Sequence, residues 1–147
     1  RTKQLNSGII KLIFYESSKE KFGNDFNNNS LVFKLVYNKF SMLFAGDILH
    51  HREKNLSINT DINLYSDILL SPHHGSSTSS TKVFLDKVAP GTIIISCGWQ
   101  NRYGFPSDKV LKRYKKMGMR VFRTDKDGAV FISSDGKNYT TKAHMVR

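Results

Sequence analysis

Cysteine is almost missing from this chain. A single residue, Cys97, excludes an internal disulfide and any cysteine-based zinc site, which needs several thiolates at short spacing. In its run "TIIISCG" the thiol reads as a small core residue. Long apolar runs are missing too. None approaches the roughly 18 residues of a membrane span, and no secretory leader is recognisable. The chain opens "RTKQLNSG", without methionine. The reading is therefore of a piece of something longer, and of a soluble piece. Acidic residues are scarce: 12 Asp and Glu stand against 23 Lys and Arg, for a net charge of +11. Such an excess attracts polyanions, either nucleic-acid phosphates or an acidic membrane surface. The alternative is a basic surface that only keeps the chain soluble.

What is present suits one globular unit over residues 1–147, with 39% hydrophobic and 24% charged residues. Seven β-rich runs stand out, at 8–16, 30–38, 40–47, 66–72, 91–98, 119–125 and 128–136. Asn38 suits a tight hairpin between the second and third. The asparagine-rich stretch 23–30 reads as a loop.

Helix signals fall between the later strands. Residues 80–88 have Ser80 as candidate N-cap, with Val83, Phe84 and Val88 on one face, and stop before Pro90. Residues 107–118 have Ser107 as cap, Asp108 at the positive end and Gly118 as terminator. Val110, Leu111, Tyr114 and Met117 line one face of that helix. A shorter helix is expected within 48–56. Hairpin, strand–helix–strand–helix–strand and hairpin together predict an α/β fold with a mixed β-sheet and flanking helices.

Two strand ends carry polar clusters. "LFAGD" places Asp47 past one hydrophobic strand, and "LLSPHHGS" places His73 and His74 past another. Functional groups in α/β sheets gather beyond the carboxyl ends of strands. Asp with His is a ligand set for a hydrolytic zinc or manganese site. The competing reading has Asp47 capping the next helix and one histidine packing on the sheet. His50 and His51 read as exposed, and Asp125 and Asp127 as turn-formers before Gly128.

Five strings then occur in order with fitting spacing: Asn28 to Ser30, Gly46 with Asp47, Pro72 to Ser76, Asn101 to Gly104, and Arg123 to Asp125. Together they resemble the C-terminal metallo-β-lactamase-like domain of ComEC, the bacterial competence protein of DNA uptake. The likeness runs from about residue 8 to residue 136. It implies a four-layer αββα fold, of which this chain would be the second half. It also implies a zinc or manganese site in the intact domain and a parent in the bacterial cell membrane. By motif match Asp47 is the acidic ligand and His74 the late histidine ligand. His73 supports it or is an alternative ligand, and is counted with Asp47 and His74 among the catalytic candidates. Ser76, Asn101 and Tyr103 are candidates to meet substrate phosphate.

The chain also departs from that pattern. The superfamily carries its main ligands in a His-x-His-x-Asp-His motif upstream of the matched region, and no His-x-His occurs here. Asp47 and His74 supply two ligands, so the isolated chain is expected to bind metal poorly and to be inactive. Phe105 stands where relatives usually have histidine. It cannot move a proton, though it could stack on a base.

Eight basic residues against two acidic ones lie between Asp108 and Lys126. Lys112, Arg113, Lys115, Lys116, Arg120 and Arg123 are the candidate DNA-binding residues, a stripe able to follow a phosphate backbone without reading sequence. The competing reading is a solvated helix face.

Three functions are open. The first is a piece of a DNA-uptake protein whose intact domain hydrolyses phosphodiesters with metal. The second is a non-catalytic DNA-binding module. The third is a hydrolase of a small ester, amide or phosphoester. If the chain is half of a fold, one sheet face has lost its partner, and self-association as a homodimer is expected.

Overall fold

The computed structural model describes residues 2–16 and 26–145. Four strands come first: β1 (Thr2–Ser7), β2 (Ile10–Tyr15), β3 (Val32–Tyr37) and β4 (Phe40–Phe44). They form an antiparallel meander. Asn38, with φ +52°, makes the tight turn between β3 and β4. The chain then alternates: α1 (His50–Ile58), β5 (Ile68–Leu70), α2 (Lys82–Val88), β6 (Thr92–Ile95), α3 (Asp108–Lys116) and β7 (Arg120–Arg123). Strands β4 to β7 pair in parallel, so the seven strands lie side by side in chain order. A single-turn helix α4 (Thr124–Asp127) leads to a separate hairpin, β8 (Ala129–Ser134) with β9 (Tyr139–His144). The fold is α/β with a mixed sheet.

The core follows from strand alternation. Val32, Leu43, Leu69, Ile93 and Ile95 point to one face and are fully buried. There they meet Leu56 of α1, Phe84, Leu85 and Val88 of α2, and Val110 and Tyr114 of α3. Each such side chain taken from water is worth about 1.5–3 kcal/mol. Phe40, Met42, Ile68 and Ile94 point to the other face and are also buried, under Val130, Ile132 and Tyr139 of the hairpin. This corrects the expectation of a bare second face, because the chain folds its own hairpin across the parallel part of the sheet. The meander part of that face stays half-open. It carries the ring row Phe14, Phe33 and Phe44, with neighbouring centroids 5.8 and 4.5 Å apart.

Further corrections concern element ends. β1 and β9 were not anticipated. Their sequences, "TKQLNS" and "YTTKAH", are polar and mostly exposed, so they lack an apolar alternation and hold mainly by hairpin pairing, with Tyr139 of β9 also packed on the core. The cap of α2 is Thr81, whose side chain accepts from Phe84 N–H, and not Ser80. Ser80 sits at φ +57° with its hydroxyl committed to Tyr114. Val83 is exposed, and Leu85 takes its place on the buried face. Of the loop 23–30, residues 23–25 lie outside the described residues; Asn27–Asn29 form a single 3-10 turn. Ser107 caps α3 as expected, and Gly118 closes it at φ +72°.

Candidate active site at the carboxyl rim of the sheet

Because β4 to β7 are parallel, the loops that follow them meet at one rim. Three hydrogen bonds tie these loops together. His73 N–H donates to Gly46 O at 3.0 Å, and Ser107 N–H to Gly75 O at 3.0 Å. The His74 Nδ1 lies 2.7 Å from Ser96 O.

Each loop has a local reason for its shape. Gly46 has φ +59°, and a Cβ there would stand 2.8 Å from Ser30 Cβ. Gly75 has φ +79°, and its Cβ would stand 2.6 Å from Pro106 Cβ. Between them His73 and His74 both occupy the left-handed region, at φ +48° and +55°. That conformation is costly for residues with a side chain. It is held by a buried network beneath. Tyr114 Oη lies 2.8 Å from Ser71 Oγ and 2.6 Å from Ser80 Oγ, bracketing the histidine loop on both sides. Burial pushes the Tyr114 hydroxyl up to about 12, so it remains a hydrogen-bonding phenol. Glu53 of α1 is wholly buried. Its carboxylate accepts from Ser80 N–H and, at 2.8 Å, from Thr81 N–H. Burial raises its pKa, against the pull of those donors. Arg113 donates to Ser79 and Ser80 carbonyls.

The result is a close Asp–His pair. His74 Nε2 lies 3.4 Å from Asp47 Oδ1, both side chains about half exposed. Ser96 O can only accept, so Nδ1 of His74 must carry a proton. In the neutral ring, Nε2 then presents its lone pair to the carboxylate. Two acceptors facing each other are stable only with a shared proton or a cation between them. A tetrahedral ion with bonds of about 2.0–2.1 Å would hold two donor atoms about 3.4 Å apart. A ligating histidine usually donates its other N–H to a carbonyl, as here.

The pair therefore fits a metal ion as two of its ligands. Among the described residues no group of three or more His, Cys, Asp or Glu could hold one. His73, half-buried, keeps a buried Nδ1 without a hydrogen-bond partner among the described residues. Its ring lies edge-on to Phe105, with centroids 5.4 Å apart.

Asp47 does not cap α1. The cap residue is Leu49, whose N–H donates to Asn28 Oδ1 at 2.9 Å, while Asp47 N–H donates to Ser30 Oγ at 3.2 Å. The asparagine-rich loop thus fastens the aspartate loop and leaves the carboxylate free for His74.

The other candidate residues fall into three settings. Phe105 and Tyr103 stand beside His74, where a cavity of about 300 Å³ is lined by His74, Ser96, Cys97, Asn101, Tyr103 and Phe105. The Asn101 side chain is spent inside its own loop, on Gly98 O, Phe105 O and Phe105 N–H. Ser76 is buried, its hydroxyl 2.9 Å from Thr78 Oγ1.

The basic stripe divides. Arg113 points inward, as described. Arg123 forms a bidentate pair with Asp125, at 3.0 and 2.6 Å. That pair holds the Asp125 carboxyl below its ordinary range. Arg120 lies over the Phe122 ring. Lys112, Lys115 and Lys116 are exposed. Lys112 and Lys116 border one hollow with Lys82 and Lys109, while Lys115 and Lys126 border another. Sequence reasoning missed Glu53, Ser96 and the Tyr114 hydroxyl bridge. Ser96 acts through its backbone, and Tyr114 read only as core. His50 and His51 are exposed, as expected.

The fold and rim define an α/β unit with an aspartate–histidine pair beyond adjacent parallel strands. No protein-family profile matches the chain. It is 37% identical over 111 residues to Competence protein ComA of Neisseria gonorrhoeae, covering 76% of this chain and 16% of that protein. It is 36% identical over 104 residues to ComE operon protein 3 of Bacillus subtilis, covering 71% and 13%. It is 33% identical over 107 residues to Recombination protein 2 of Haemophilus influenzae, covering 73% and 13%. The chain is homologous to a segment of competence proteins, and spans less than a fifth of the length of these relatives.

Proposed function

We propose that this chain is part of a competence protein of DNA uptake, and that it supplies two ligands of a metal site that hydrolyses phosphodiesters. Asp47 and His74 would hold a zinc or manganese ion, with the remaining ligands coming from outside this chain. The fold would then be the second half of a four-layer αββα metallo-β-lactamase-like domain. When bound, the metal would supply Lewis acidity and an activated water. The chain's own residues would orient it: Ser96 O fixes the His74 tautomer, and the Gly46 and Gly75 loops hold the pair in register. The observation that carries this reading is the facing Asp47–His74 pair, 3.4 Å apart, with Nδ1 of His74 turned to Ser96 O.

The parent would be a membrane protein. No described helix is long and apolar enough to cross a membrane. The DNA surface would be the exposed lysines of α3, Lys112, Lys115 and Lys116, with Lys109 and Arg120. Arg113 and Arg123, engaged within the chain, would contribute less.

Calorimetry with zinc or manganese tests the ligand assignment. The isolated chain should bind weakly, and Asp47→Ala or His74→Ala should each abolish binding. A stoichiometric ion that survives dialysis would contradict the two-ligand reading. Weak binding untouched by either substitution would remove the site.

A second reading, a DNA-holding module without chemistry, is favoured by Phe105, which brings no titratable group to the rim. Phosphodiester cleavage by the full-length protein that is lost in Asp47→Ala excludes it.

A further inference from the structure

The loop after β6 exposes more aromatic surface than its position requires. Trp99 is 71% exposed and Tyr103 63%. Tyr103 stacks on Phe105 with centroids 5.5 Å apart and planes 19° apart. Phe105 in turn lies nearly parallel to the His74 ring, at 6.4 Å and 19°. A row of aligned rings therefore runs outward from the Asp47–His74 pair. The Arg102 guanidinium lies over the Tyr103 ring, 4.7 Å from its centroid, and donates to its hydroxyl, so a base would stack on the ring in its place or on the guanidinium itself.

The loop is held in shape. Gly104 N–H donates to Asn101 O at 3.1 Å, and both ends of the Asn101 side chain bind backbone across the loop. Such bracing lowers the ordering cost of binding a ligand. The cavity at its foot ends at His74.

We infer that Tyr103, backed by Phe105 and flanked by Arg102, is a stacking platform for an unpaired nucleobase, which selects single-stranded over double-stranded nucleic acid at this rim. The inference rests on the nucleic-acid reading above and adds to it the form of the substrate. An exposed ring capped by a solvent-side guanidinium, opening on a candidate phosphate-cleaving pair, matches a nucleotide: base against the ring and the guanidinium, phosphate toward the pair. Bases in a duplex are already stacked on each other and cannot use the platform, whereas every base of a single strand can. Phe105, which cannot transfer a proton, has a use here as the platform's floor. A protein partner would be the other candidate for exposed aromatics; the cationic neighbour and the opening toward the Asp–His pair favour the nucleotide.

The test separates bases from charge. The full chain is titrated with oligothymidylate, with an abasic strand of equal length, and with a duplex. Binding is read by the fluorescence of Trp99, the only tryptophan, and checked by anisotropy of a labelled strand. Oligothymidylate should bind tighter than the abasic strand by roughly fivefold to a hundredfold, the range of one base stacked on one aromatic ring. Tyr103→Ala should remove that advantage and leave abasic binding unchanged, while Tyr103→Phe should retain it. Equal affinity for the two strands, or a duplex bound as well as the single strand, overturns the platform and leaves charge-driven DNA binding standing. So does a Tyr103→Ala that weakens both strands alike. Failure of all three probes to bind removes the nucleic-acid reading together with the platform.

Discussion

The carboxyl rim of the sheet and the outer face of α3 present polar residues in opposite ways. At the rim, Asp47, His73 and His74 stand on loops with positive φ. Backbone hydrogen bonds and a buried Tyr114–Ser71–Ser80 bridge brace them. On α3 the lysines stand on a regular helix and reach into solvent. The first arrangement costs conformational energy and fixes positions; the second costs little and fixes nothing but charge density. Positioned chemistry needs the first. Attachment to a polyanion needs only the second. Arg113 belongs to both by sequence and to the rim by structure, since its guanidinium points inward to Ser79 and Ser80.

The sharpest way to break this contrast is at Gly75. With φ +79° and Pro106 Cβ 2.6 Å from any added Cβ, Gly75→Ala should destabilise by about 3 kcal/mol or more, measured by chemical denaturation. A loss within about 0.5 kcal/mol would mean the rim is not strained as described.

Tyr114→Phe keeps the packed ring and removes only the bridge between Ser71 and Ser80. It should cost about 1–3 kcal/mol, because two buried hydroxyls lose their partner. It should also broaden the histidine resonances of His73 and His74 in NMR spectra. An unchanged spectrum would show that the bridge does not position the loop.

Acid sensitivity comes next. The Arg123 pair lowers the folded pKa of Asp125 below its ordinary 3.8. The stability it contributes is therefore complete above that value and is lost as pH falls through the lower folded value. Asp125→Asn should flatten this acid limb of the stability profile, with no effect near neutral pH on the shape of the curve. A limb of unchanged slope would assign acid loss to other carboxylates.

The smallest stability effect is expected on α3. Replacing Lys109, Lys112 and Lys116 with Ala should shift stability by less than about 0.5 kcal/mol per site. The same change should lower the log–log salt slope of duplex binding by about 2 to 3 units if all three touch phosphate. The pair Lys115 and Lys126, on the other hollow, makes the comparison. Whichever set moves the slope marks the face that holds DNA.

Self-association remains a sharper question for the meander half of the second sheet face. The hairpin covers Phe40, Met42, Ile68 and Ile94, while Phe14, Phe33 and Phe44 stay half-open. A homodimer, if it forms, should use that ring row, and Phe33→Lys should abolish it in light scattering.

Much of this was legible beforehand where a local rule applied. Asp47, His73 and His74 were placed past apolar strands, with His74 singled out from its neighbour only by the family resemblance, and α3 was marked by its cap, period and terminal glycine. The strands β1 and β9 were not legible because polar hairpin strands carry no alternation of their own. The cap of α2 was misread because Ser80 and Thr81 are chemically alike, and only the demand of Tyr114 on Ser80 separates them. Arg113 and Arg123 looked like their lysine neighbours, because sequence shows a charge and not its partner.

The sequence by itself determined the periods of its elements, its surplus of positive charge, and which polar residues end buried strands. These follow from side-chain alternation and turn chemistry within a few residues. Only the tertiary structure decided that Asp47 and His74 meet at 3.4 Å, that Ser96 O orients the histidine, and that Arg113 turns inward to Ser79 and Ser80. These contacts join residues more than twenty positions apart. Their energies depend on parallel strands bringing separate loops to one rim, a relation that no local pattern encodes.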